Sequence, residues 1–140
     1  MSFREKTAWI TLLAVVAVSL LYWFHVRNPF VPHSAPHVLH AMGLSLLAYL
    51  LIELIGWLVL RWRHPRDARE PRDERERLID LRALRVAYYV FLSAAMFGVF
   101  ATLHLAGGGA MAAGMAVFSA FVLSQACKHF ARIVLYRRGF

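Results

Sequence analysis

Five histidines in this chain, His25, His33, His37, His40 and His104, fall where long apolar stretches begin or end. His37 and His40 are three residues apart, which puts both imidazoles on one face of a helix that starts before them. Neutral imidazole ligates zinc, copper and haem iron, and two histidines on facing helices can hold a haem through its axial positions. His25, His37, His40 and His104 are therefore a candidate site for haem b, zinc or copper. No Asp or Glu lies in the same stretches to orient such a ligand. Histidines at a membrane surface also occur simply as half-wet amphipathic groups. Met42, Met96, Met111 and Met115 lie toward the same ends and are soft enough to support copper, although methionine is equally a filler of apolar interiors.

A second candidate is Glu53, which stands in an otherwise apolar run eight residues before Arg61, about 12 Å deep at helical rise. An isolated carboxylate at that depth must pair or take up a proton. Ser124, Gln125, Lys128 and Arg132 form a polar stripe at helical spacing in the last apolar run, and Lys128 falls near the depth of Glu53. The expectation is a Glu53–Lys128 pair with His129 or Gln125 nearby, serving either to fix helix register or as part of a proton relay. A third candidate is the charged run Asp73-Glu74-Arg75-Glu76-Arg77 with Arg82 beyond it. There Arg75, Arg77 and Arg82 could contact a partner protein or anionic headgroups. Its interleaved signs read as a salt-bridged solvated helix rather than a calcium or nucleotide site. No phosphate loop, GxSxG, HExxH or CxxC is present, so no enzymatic activity is expected.

The elements that position these residues follow from hydropathy. Of 140 residues, 60% are hydrophobic and only 17% charged, with a mean hydropathy of +0.54. A soluble domain this small could not hide so much apolar surface. Four runs, about 7–26, 38–60, 86–106 and 110–135, reach the roughly 20 residues a membrane-spanning helix needs. Together they make one four-helix transmembrane domain covering 1–140, with a loop over about 62–84. The first run has no small-residue cleavage site and reads as a retained helix. A net charge of +8 would suggest nucleic acid in a soluble protein. Here the basic residues flank the apolar runs, which excludes that reading and orients the chain instead. Arg4 and Lys6 precede the first run, nine arginines lie between Arg61 and Arg85, and Arg132, Arg137 and Arg138 close the chain. The other two connections hold only Arg27. Lys and Arg stay cytoplasmic, so both termini and the middle loop are expected inside, with the histidines outside. Asp73 with Glu76 forms a capping-box pattern, and no Pro or Gly follows until Gly98. One helix should therefore run from near Asp73 into the third span, extending it into the cytoplasm.

Ala112, Ala116, Ala120 and Ser124 recur every fourth residue, a small-residue seam suited to close helix packing, inside the bundle or in a homodimer. The segment Asp73 to Ala83, an Asp-Glu-Arg run followed by Ile and Ala that leads into the third of four helices, resembles a recurring feature of small uncharacterised bacterial inner-membrane proteins. The resemblance covers about residues 73–90 and implies a multi-pass protein of the bacterial inner (cytoplasmic) membrane with no established activity.

The fold expected is thus all-α, a bundle of four antiparallel transmembrane helices in which consecutive helices joined by short outer loops are neighbours. The function expected first is that of a non-enzymatic accessory or interaction module, embedded in the lipid bilayer and joined to itself or to a membrane protein partner. A metal- or haem-binding protein using the histidines is the alternative, and a small proton-coupled transporter using Glu53 is the second alternative.

Overall fold

The computed structural model describes residues 3–28, 34–63, 73–107 and 109–138, leaving aside the side chains of residues 3 and 4. Among them are four long helices: α1 Phe3–Val26, α2 Ala35–Arg63, α3 Glu74–Phe100 and α4 Ala110–Arg137. Each is long and apolar enough to cross a membrane, which is the pattern of a multi-pass membrane protein. α2 continues through Arg63, and α3 has begun by Glu74, where the capping pattern at Asp73 leads one to expect it.

The start of α3 follows from its sequence. Asp73 is extended, and its carboxylate accepts a 2.7 Å hydrogen bond from the Glu74 N–H. Asp73 is thus the N-cap, although its bond goes to the next amide rather than to that of Glu76, where a capping box would place it. The helix then runs unbroken to Phe100 and passes into a π-helical turn over Ala101–Leu105, closed by Ala106 N–H to the Ala101 carbonyl at 3.0 Å. Gly107, at φ +59°, makes the left-handed turn that follows.

All the packed helix pairs are antiparallel. Ile10 of α1 meets Gly56 of α2, and Gly98 of α3 meets Ala116 of α4. Tyr22 of α1 packs its ring on Phe118 of α4, with centroids 4.9 Å apart. α3 packs most extensively on α4, while α1 packs on both α2 and α4. The order across the bundle is therefore α2, α1, α4, α3, and the pairs joined by short connections, α1 with α2 and α3 with α4, are neighbours as expected.

Side-chain size and placement explain this order. α1 carries a stripe at helical spacing, Ala8, Thr11, Ala14, Val15, Val18, Tyr22 and Val26, and every member is buried. α2 is Leu- and Ile-rich on all sides, has no distinct inner face, and buries only Val38 and Leu60. It lies at the edge. Between α3 and α4 the seam of small residues does what its spacing suggests. A Cβ added at Gly98 would lie 3.2 Å from the Ala116 Cβ, so the two backbones approach as closely as glycine and alanine permit. Hydroxyls inside the helices bond to carbonyls a turn earlier, as in Thr11 to Thr7 at 3.0 Å and Ser119 to Met115 at 2.7 Å, which spares them an unsatisfied state in an apolar interior.

Candidate functional site

At one end of the bundle, where α1 stops and α2 starts, His25 and His37 meet with their Nε2 atoms 3.1 Å apart. Their ring centroids are 5.3 Å apart and their planes differ by 28°. The centroids are farther apart than the nitrogens by about two ring radii, so the nitrogens lie nearly on the line between the rings. The imidazoles are head to head rather than face to face. In the neutral pair one Nε2 donates and the other accepts, so the two rings are in opposite tautomers. The same two lone pairs could instead converge on one metal ion.

The other two histidines of the expected set are turned to their own helices. His40 Nδ1 lies 2.6 Å from the Pro36 carbonyl, and His104 Nδ1 lies 3.3 Å from that of Phe100 while its ring stacks on the Phe100 ring. His104 is carried by the π-helical turn beyond α3, across α4 and α1 from the α2 histidines. His33 lies outside the described residues. Among the described residues no group of three or more His, Cys, Asp or Glu side chains is arranged to hold a metal. The structure therefore brings together two of the four candidate ligands.

Glu53 is half-buried on α2, one turn beyond Tyr49 on the same helix. The expected Glu53–Lys128 ion pair is not among the contacts of the described residues. Lys128 does lie near the same depth, as the Glu5–Arg137 and Tyr22–Phe118 contacts of α1 with α4 and the Ile10–Gly56 contact of α1 with α2 together indicate. What separates Lys128 from Glu53 is position around the bundle, since α2 packs on α1 while α4 packs on α3 and α1. Gln125 borders a largely apolar crevice of about 30 Å³ between α1, α2 and α4, lined by Val15, Val18, Leu46, Phe118, Phe121 and Val122 together with Tyr22 and Tyr49. The polar stripe of α4 is thus divided. Gln125 serves the crevice, Ser124 is buried and bonds the Phe121 carbonyl at 2.7 Å, and Arg132 turns to α3.

The opposite end carries the charges. Arg132 reaches Asp80 of α3 at 2.9 Å, and Arg137 reaches Glu5 of α1 at 3.3 Å while its guanidinium sits 5.6 Å from the centre of the Trp9 ring. Ile79, Ala83 and Ala87 of α3 are buried, whereas Arg75, Arg77, Arg82, Leu78 and Leu81 are exposed. The first turns of α3 are therefore a packed part of the bundle with a basic and apolar outer arc, not a free arm.

Sequence reasoning missed the roles of Glu5, Asp80 and Tyr22, and set His129 beside a Glu53–Lys128 pair without a signal for its burial. The first two had a readable signal, since acids in the opening turns of two spans face bases in the closing turns of an antiparallel third. His129 had none. It is 2% exposed, and neither ring nitrogen has a hydrogen-bond partner, so it acts as a core side chain.

No family model, curated protein or solved structure matches the chain.

Proposed function

We propose that the chain is a non-enzymatic accessory protein of the bacterial inner membrane, with both termini and the α2–α3 connection in the cytoplasm. In this reading Arg75, Arg77 and Arg82 hold anionic lipid headgroups, or the acidic surface of a membrane protein partner, against the outer arc of α3. The observation that carries it is the division of that helix into two sides. Ile79 and Ala83 are 1% and 0% exposed, while Leu78 and Leu81, a turn away on the outer arc, are 54% and 61% exposed beside the arginines. Exposed leucines interleaved with arginines suit a headgroup boundary, where the apolar stems lie in the acyl region and the guanidinium groups reach phosphate. Replacing Arg75, Arg77 and Arg82 together with Gln should strip anionic lipid, or a cross-linked partner, from the purified protein without unfolding it. Unchanged lipid retention and unchanged cross-linking would overturn the proposal.

A second reading, favoured by the 3.1 Å separation of the His25 and His37 nitrogens, makes that pair two ligands of a zinc or copper ion. To hold a haem b the two nitrogens would have to move apart to admit the iron. Elemental analysis of untagged protein tests this reading. Stoichiometric zinc or copper that is lost in His37→Ala supports it, and retention of the metal in that variant rejects it.

A further inference from the structure

The adjoining ends of α1 and α2 hold two imidazoles in an arrangement that discriminates among metal ions. His25 Nε2 and His37 Nε2 are 3.1 Å apart, and the ring centroids, 5.3 Å apart, lie almost on the line through them. Lone pairs aimed at each other along one line meet an ion from opposite sides. A tetrahedral ion such as zinc needs its ligands splayed well away from a straight line. Metal–nitrogen bonds of about 2 Å on either side would set the two nitrogens about 4 Å apart, so the rings need to part by about 1 Å. His25 is exposed and stands in the last turn of α1, and His37 stands in the first turn of α2. Rotation about their side-chain bonds can supply that separation while both helices stay in place.

The rest of the donor set is equally restrictive. Among the described residues no third His, Cys, Asp or Glu joins the pair. His40 Nδ1 is turned to the Pro36 carbonyl, and His104 Nδ1 to that of Phe100. Neither connection at this end contains an acid. Arg27, two residues beyond His25, holds its guanidinium 5.7 Å from the centre of the Trp23 ring. A dication between two neutral ligands there would keep its whole charge, and its repulsion by Arg27 would be twice that of a monovalent ion. Zinc completes four positions in closed sites, and copper(II) prefers four ligands in a plane. Copper(I) is monovalent with a closed d shell, and two ligands in line satisfy it.

Resting on the metal reading of this histidine pair, we infer that His25 and His37 form a two-coordinate copper(I) site, selective against zinc. Binding needs no electron transfer. The ring that donates through its Nε2–H in the free pair takes the other tautomer, its proton passing through solvent to its own Nδ1. Both Nε2 lone pairs then face the ion, and no net proton is lost. The exposed His25 ring leaves the ion an entry from the aqueous side.

The test uses the full untagged chain in lipid nanodiscs, with Cys127→Ala to remove the thiol as a rival soft ligand. Copper(I) is titrated without oxygen against a chromophoric chelator, zinc is titrated likewise, and the copper-loaded protein is studied by X-ray absorption. The inference expects one copper(I) per chain in two-coordinate nitrogen geometry, bound at least about a hundredfold more tightly than zinc. His25→Ala and His37→Ala should each weaken it at least about a hundredfold. His25 is exposed at a helix end, so His25→Ala remains informative if His37→Ala fails to fold. Zinc bound as tightly as copper(I), and lost in the same variants, would overturn the inference and leave the metal reading standing. Binding of neither ion would overturn both, as would copper(I) retained in both variants.

Discussion

At the charged end of the bundle, Arg132 binds Asp80 and Arg137 binds Glu5, so α4 is tied to both α3 and α1 by opposite charges. At the other end, the described residues link helices through the His25–His37 pair, and α3 finishes in a π-helical turn before the glycines. The contrast follows from where the sequence puts its charges. The connections at the histidine end contain no acid, so ion pairs are unavailable there and helix contact depends on neutral hydrogen bonds and on close packing. At the charged end, carboxylates and guanidinium groups are only partly withdrawn from solvent. In that setting they can pair without the full desolvation cost of a buried pair.

If the histidine half of α3 and α4 is held by packing, the largest effect should come from filling its seam. Gly98→Leu drives a side chain into Ala116 and should cost about 3 kcal/mol, measured by unfolding in mixed micelles. Gly43→Leu, where an added Cβ meets nothing within 4 Å, should be close to neutral. Next comes the less exposed ion pair. Asp80→Asn leaves Arg132 without its partner and should cost about 1–2 kcal/mol, the usual penalty for a broken buried pair reduced for partial exposure. A double-mutant cycle with Arg132→Gln should return a coupling of the same sign. His37→Ala removes one neutral hydrogen bond and should cost about 1 kcal/mol. If the second reading holds, added zinc or copper would stabilise the wild type and leave this variant unmoved. The smallest effect is expected for Glu5→Gln, because the Arg137 side chain is 63% exposed. A loss of about 0.5 kcal/mol that fades in high salt would fit, measured against Asp80→Asn under the same conditions.

The spans were legible in the sequence because length and hydropathy register a membrane helix directly. The helix boundary at Asp73 was legible because a capping residue announces itself. Depth was legible as well, since Glu53 and Lys128 do lie near one level. Position around the bundle was not. α2 is apolar on every side, so its sequence holds no signal for which face turns inward or which helix it meets. The pairing of Glu53 with Lys128 was therefore a statement about depth that required a neighbour relation the sequence does not contain. The histidines show the same limit. Topology gathers them at one end, but only His25 and His37 sit on helices packed together, while His104 is carried on the far side of α4. The contact of Ala116 with Gly98, by contrast, was foreshadowed by the four-residue spacing of alanines, because small residues matter for packing whatever the rotation.

The account rests on the charged end lying in the cytoplasm and the histidine end outside. Single cysteines introduced as Ser34→Cys and as Arg75→Cys, each in a Cys127→Ala background, can be probed in bacterial cells with a maleimide that does not cross membranes. The account predicts labelling of Ser34→Cys in intact cells and of Arg75→Cys only after permeabilisation. Labelling of Arg75→Cys in intact cells, with Ser34→Cys protected, would contradict it.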